Sequence, residues 1–220
     1  MSQSKTNDEV VLAMDAFVEQ YYKDILRKLA EKGKYRPDKV FTHWFSDTFL
    51  LYTSDDSPAS LCCIEQSATH FFVDVIWTKM PLRGALSIGA FYADKETGIF
   101  LGPAFIDAYE YGEKQNWIGL VISPKACFEL QKINLCPPDR GGYVEYDVPI
   151  KSKEKNIKSE VVLKIETEKL FSFKMQKYMQ VEESIREMKQ EAENKLDKGE
   201  YDKVKAIYEN TLKFIKDTKD

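Results

Sequence analysis

Cysteine is scarce in this sequence: there are four in 220 residues, Cys62, Cys63, Cys127 and Cys136. No Cys-x-x-Cys pair occurs, and His43 and His70 do not fall at zinc spacing, so no zinc site is indicated. Adjacent Cys62 and Cys63 cannot easily bridge each other, and reduced core thiols are the expectation. A surplus of basic charge is also missing. Lys and Arg number 32 against 36 Asp and Glu, a net charge of -4. That argues against a nucleic-acid partner held by a global positive field, although a local basic pocket is still compatible. Long apolar runs are absent as well, and none approaches the roughly 20 residues that span a bilayer. The N-terminal MSQSKTNDEVVLAMDAF carries one lysine and no long apolar run before a small-residue cleavage site. A secretory signal is therefore not expected, and a cytoplasmic location is. No internal repeat or low-complexity segment interrupts the chain.

What is present is 43% hydrophobic and 31% charged residues, enough for one substantial core or one core with an appendage. Glu9 to Met14 is a short apolar run, a buried-strand candidate. Phe17, Tyr21, Ile25, Leu26 and Leu29 then recur at helical spacing up to Gly33. THWFSDTFLLYT (Thr42 to Thr53) is aromatic and β-branched on both sides of Ser46-Asp47. It predicts a hairpin of Lys39 to Phe45 with Thr48 to Tyr52. A helix over about Ala59 to Trp77 follows, largely covered by sheet. Further strands are expected at RGALSIGAFYA (Arg83 to Ala93), Ile99 to Gly102 and Trp117 to Ser123, with helices from Pro103 to about Lys114 and from Pro124. Tyr143 to Val148 and Glu160 to Ile165 can be two more strands. From about Thr167, Gln, Glu and Lys dominate, with Met175, Met179, Ile185 and Met188 as spaced apolar residues. This predicts a charged helical hairpin, interrupted at Gly199, appended to the sheet domain. The expected domains are 1–166 and 167–220. The fold class is α+β, on a ferredoxin-like βαββαβ plan with helices on one face.

Two acids occupy comparable places. Asp15 ends the first strand and Asp47 sits at the hairpin tip. An Asp at a strand end can simply make the turn or cap a helix. Alternatively, two carboxylates brought close together repel, and a divalent cation with oxygen ligands relieves the repulsion. Two such ions can clamp a polyphosphate and activate a sugar hydroxyl.

The order of segments adds to this. It runs strand-Asp15-helix, F-S-D at Phe45 to Asp47, RGALSIG at Arg83 to Gly89, GPAFIDAYE at Gly102 to Glu110, and LVISP at Leu120 to Pro124. Over residues 8 to 128 this resembles the class III nucleotidyl cyclase catalytic domain. More narrowly, it is similar to the pyrimidine cyclases of bacterial Pycsar anti-phage defence, whose blocks run strand-Asp, F-S-D, R-G-G-I-x-x-G and G-P-A-L-N-x-A-Y-E. The resemblance implies conversion of UTP or CTP to the 3′,5′-cyclic monophosphate and pyrophosphate, as a second messenger in antiviral defence. It implies two Mn²⁺ or Mg²⁺ ions on Asp15, Asp47 and the carbonyl of Ala16, and a homodimer with active sites between two chains. Phe17, His43 and Arg83 are then the expected substrate contacts. His43, four residues before the second Asp, is the candidate reader of a small base, and Ile99 is the second base-reading position.

The chain also departs from the family. Ile106 stands where the family has Asn, and Glu110 where purine cyclases have an Arg that stabilises charge in transfer. Val18 and Glu19 replace the usual Gly and Phe. Arg83, Lys79 and Lys114 are candidates to take over the phosphate contacts, while Arg83 can equally pair with a carboxylate. These departures keep two further readings in play: a catalytically degenerate cyclase-like protein that binds a nucleotide, and a scaffold whose helical hairpin binds a partner.

Overall fold

A computed structural model describes residues 40–45, 48–133, 143–151, 157–163 and 175–218. The strand and helix expected before residue 39 lie outside the described residues. The elements are mixed α and β, so the chain is an α+β protein. It forms two compact units that divide between Phe71 and Phe72.

In the first unit, β1 (Val40–Phe45) and β2 (Thr48–Thr53) pair antiparallel from Val40 opposite Thr53 to Phe45 opposite Thr48. The expected hairpin thus forms within a residue of its predicted bounds. Aromatic cross-strand packing sets it. Phe41 and Tyr52 face each other in the register and stack at 5.4 Å between ring centroids. Phe49 turns the other way and packs on Phe71, with ring centroids 4.8 Å apart.

Phe71 belongs to α1 (Pro58–Trp77), which continues across the boundary into the second unit. Its start is capped. The Ser60 backbone N-H donates to Ser57 Oγ, with Pro58 at the first helical position. Its end is a Schellman turn. Met80 N-H reaches Val75 O and Lys79 N-H reaches Ile76 O, with Lys79 in the left-handed region at φ 63°. The helix stops there, before Pro81.

The second unit holds a four-stranded sheet in the order β3-β6-β8-β7, built from β3 (Gly84–Leu86), β6 (Leu120–Ile122), β7 (Tyr143–Val148) and β8 (Ile157–Leu163). β3 and β6 run parallel and the other neighbours antiparallel. Between β3 and β6 the chain makes a separate hairpin of β4 (Tyr92–Asp94) and β5 (Ile99–Leu101), then α2 (Pro103–Lys114). After β6 comes α3 (Pro124–Lys132), opened by Ser123, whose hydroxyl accepts from Ala126 N-H.

Two expectations are corrected here. The single strand expected over Arg83 to Ala93 is two strands in different sheets. Gly89 sits at φ 152°, and Gly102 passes so close to the next segment that a Cβ on it would stand 2.5 Å from Ala90 O. The backbone therefore leaves the ladder after Leu86. The second correction concerns Gly199. The helices α4 (Met175–Lys195) and α5 (Lys198–Asp217) are separated by Asp197, which forms a capping box with Glu200, while Gly199 lies inside the first turn.

The two C-terminal helices do more than flank the sheet. Val181, Ile185 and Met188 of α4 and Tyr208, Phe214 and Ile215 of α5 share one core with Ile76, Trp117, Ile118, Val121 and Val148. Phe214 meets Trp117 and Tyr146 edge-on, each at 4.9 Å. Thr211 Oγ1 accepts from Ile118 N-H at 2.8 Å, and Asn210 donates to Asn116 O at 2.8 Å. Burial on one stripe and these bonds fix α5 against the segment that leads into β6.

Candidate functional site

Asp15, Ala16, Phe17 and Asp47 lie outside the described residues, so the expected metal ligands have no described geometry. Among the described residues, no group of three or more His, Cys, Asp or Glu side chains could hold a metal ion.

His43 is opposite Leu50 in the hairpin. Alternation puts it on the face shared by Phe41, Phe45 and Tyr52, opposite the one Phe49 packs onto Phe71. Its ring lies 6.1 Å from that of Phe45. Ile99 is exposed on β5.

The three basic candidates each meet a carboxylate. Arg83 Nη2 donates to Glu113 Oε1 at 2.9 Å, and Glu113 Oε2 also faces Lys151 Nζ at 3.5 Å. The hydrogen bond from Arg83 holds the Glu113 carboxyl below its ordinary range, outweighing partial burial. Arg83 Nε is buried with no hydrogen-bond partner among the described residues. Lys79 Nζ lies 3.0 Å from Glu187 and 3.7 Å from Glu191, and the hydrogen bond to Glu187 leads in raising its pKa. Lys114 sits 3.6 Å from Glu110, an exposed pair one helical turn apart. Ile106 is 55% exposed on α2, with Glu110 one turn further along the same helix.

Sequence reasoning did not single out the polar centre that the second unit builds. Asp107 Oδ2 accepts from Ser87 Oγ at 2.5 Å and from Ser123 Oγ at 2.6 Å. Ser87 follows the last residue of β3, and Ser123 follows the last residue of β6. The same Ser123 hydroxyl caps α3. Nearby, Ala104 N-H reaches back to Ala90 O at 3.3 Å, and a Cβ on Gly89 would stand 3.9 Å from Lys125 Nζ. A clue was available in the pattern of α2. Ala104, Asp107, Ala108 and Tyr111 recur at helical spacing on the less exposed side, where an acid is out of place unless satisfied. Its partners are 20 and 16 residues away in sequence, which local reading does not supply.

The far end of α2 is pinned too. The Gln115 side chain donates to Gly84 O at 3.0 Å and Tyr111 O at 3.2 Å, and accepts from Trp117 Nε1 at 2.8 Å. Gly84 of β3 and Gly112 of α2 face each other closely: a Cβ on Gly112 would lie 3.8 Å from Gly84 Cα. Helix and strand thus approach through glycine.

Compared with protein-family profiles, curated proteins and solved structures, the chain matches none. No described helix is long and apolar enough to cross a membrane.

Proposed function

We propose that the chain is a pyrimidine nucleotide cyclase that converts UTP or CTP to the 3′,5′-cyclic monophosphate and pyrophosphate. The observation that carries this reading is the meeting of three resemblance-bearing blocks at one carboxylate. RGALSIG supplies Ser87, GPAFIDAYE supplies Asp107 and LVISP supplies Ser123. Segments that match the cyclase order in sequence are thus bonded together at the ends of the parallel strands. The antiparallel pairing of β1 with β2 is in keeping with this reading, because the resemblance expects its F-S-D block beside such a hairpin.

In this reading the complete sheet follows the ferredoxin-like cyclase plan, and the chain works as a homodimer in antiviral signalling. Asp15, Asp47 and the Ala16 carbonyl would hold two Mn²⁺ or Mg²⁺ ions. All are hard oxygen donors, as those ions require. Bound there, the ions would lower the pKa of the ribose 3′-hydroxyl and neutralise the leaving pyrophosphate. His43 would read the base, and Phe17 would be a further substrate contact. Arg83 would reach a phosphate only by exchanging Glu113 for it.

Incubating the purified chain separately with each nucleoside triphosphate and Mn²⁺, and identifying products by mass, tests the reading. Cyclic UMP or cyclic CMP is expected, and absence of cyclic product from all four substrates refutes it. A second reading, a cyclase-like protein that binds nucleotide without turning it over, is favoured by the exposed apolar Ile106 at the family's Asn position. Calorimetry that finds metal-independent nucleotide binding without turnover supports that reading.

A further inference from the structure

The two C-terminal helices turn Val181, Ile185 and Met188 of α4 and Tyr208, Phe214 and Ile215 of α5 into the core. Elsewhere along their contact they leave a groove of about 380 Å³, lined by Glu182, Arg186, Leu212, Lys213 and Lys216. Three cations stand there against one carboxylate, in a chain whose net charge is -4. Arg186 is committed, because its Nε and Nη2 both donate to Glu182 Oε1, at 3.2 and 2.7 Å. Lys213 and Lys216 are exposed and have no ion-pair partner among the described residues. Other lysines of the same two helices are paired, Lys189 and Lys205 with Glu209, and Lys195 with Glu191. The groove is therefore locally positive. Its surface is also largely apolar. Leu212 is half-buried, and the methylene stems of Arg186, Lys213 and Lys216 lie beneath their charged heads.

We propose that this groove docks an acidic peptide segment of a partner protein. Carboxylates of the segment pair with Lys213 and Lys216, and one of its apolar side chains seats on Leu212. Charge complementarity selects the partner, and the apolar floor beneath the charges selects a peptide among anions. A phosphate group is best held by converging N-H donors or a free guanidinium fork, and Glu182 already occupies the Arg186 fork. A lipid surface is read by clusters of about four to eight basic residues, and the unpaired cations here are Lys213 and Lys216. A nucleic acid would meet the negative field of the whole chain. None of the groove residues takes part in the cyclase reading, so the two stand or fall separately.

The test titrates the full chain into a fluorescein-labelled peptide of glutamates with leucine at every fourth position, read by fluorescence anisotropy. Saturable binding is expected, and its absence overturns the proposal. Lys213→Glu/Lys216→Glu should weaken binding about tenfold or more, because both rim charges change sign. The same change outside the groove, Lys198→Glu/Lys203→Glu, should leave affinity within about twofold, because these lysines lie at least about 15 Å further along α5, beyond the roughly 8 Å Debye length at physiological salt. Equal weakening by both double variants would show that the peptide senses only overall charge, and would overturn the proposal. Replacing the peptide's leucines by serine should also cost about tenfold, through loss of the apolar contact with Leu212, and unchanged affinity would overturn it. If the charge-reversed chain does not keep the wild-type melting temperature, Lys213→Ala/Lys216→Ala replaces it, with about fivefold weakening expected. Inorganic phosphate or phosphatidylserine vesicles binding the groove more tightly than the peptide would assign it to a small anion or a lipid surface, and would overturn the proposal too.

Discussion

Removing the Phe214 ring should cost the second unit much of its stability. Phe214 is 1% exposed and makes edge-on contacts with Trp117 and Tyr146 at 4.9 Å. Truncating a buried Phe to Ala costs about 3–5 kcal/mol, the lost transfer energy plus the cavity left behind. A domain's whole stability is about 5–15 kcal/mol, so the loss is a large fraction of it. With a urea m-value of about 2 kcal/mol/M, a 4 kcal/mol loss moves the midpoint down by about 2 M. Urea unfolding read by Trp117 emission, in a background with Trp44→Phe and Trp77→Phe, measures it. Lys213→Ala, an exposed change one residue away on α5, serves as control and should stay within about 0.5 kcal/mol. A Phe214→Ala loss below about 1 kcal/mol would refute the placement of α5 in the core.

Other consequences concern glycine and pH. Gly112→Ala should stabilise by about 0.5–1 kcal/mol, since alanine favours the helix and its Cβ would meet Gly84 and Ala85 only at ordinary contact distances of 3.8 Å and more. Gly102→Ala should destabilise by more than about 2 kcal/mol, because it combines unfavourable φ with the overlap on Ala90 O; equal thermal melts for the two variants would contradict this. The hydrogen bond from Arg83 holds the folded Glu113 carboxyl below its ordinary pKa of 4.5. Its stabilising effect is therefore present above about pH 4.5 and is lost as pH falls through the lowered folded value. Glu113→Gln should flatten that part of the acid limb of a stability-versus-pH curve, and an unchanged limb would show that the Arg83 contact does not act this way.

Much of the fold was legible locally. The β1–β2 hairpin follows from aromatic and β-branched runs around Ser46-Asp47, and α2 begins at Gly102-Pro103 and ends at Lys114 as its punctuation indicates. The break of the Arg83 to Ala93 run was not legible, because it depends on Gly102 approaching Ala90 across the β4–β5 hairpin. The charged composition after Thr167 reads as a solvated appendage. The buried stripe of Val181, Ile185 and Met188 is spaced for one helical face, but its partner surface around Trp117 is about 70 residues away. Asp197 and Glu200 carried a readable capping signal that the glycine beside them obscured. At the candidate site, the resemblance-bearing blocks were legible and the carboxylate joining three of them was not. A polar tie is defined by which loops meet, and only the fold decides that. Arg83 was legible as either a phosphate contact or an ion-pair partner, and the structure places it on Glu113.

The central proposal is that Asp47 carries metal for a cyclisation. Cyclic nucleotide and pyrophosphate should be quantified from the same reaction of wild type and Asp47→Asn with Mn²⁺ and the preferred pyrimidine triphosphate. The account predicts equimolar products from wild type, and a loss of at least about a hundredfold in Asp47→Asn with its melting temperature retained. Turnover by Asp47→Asn at the wild-type rate would contradict it.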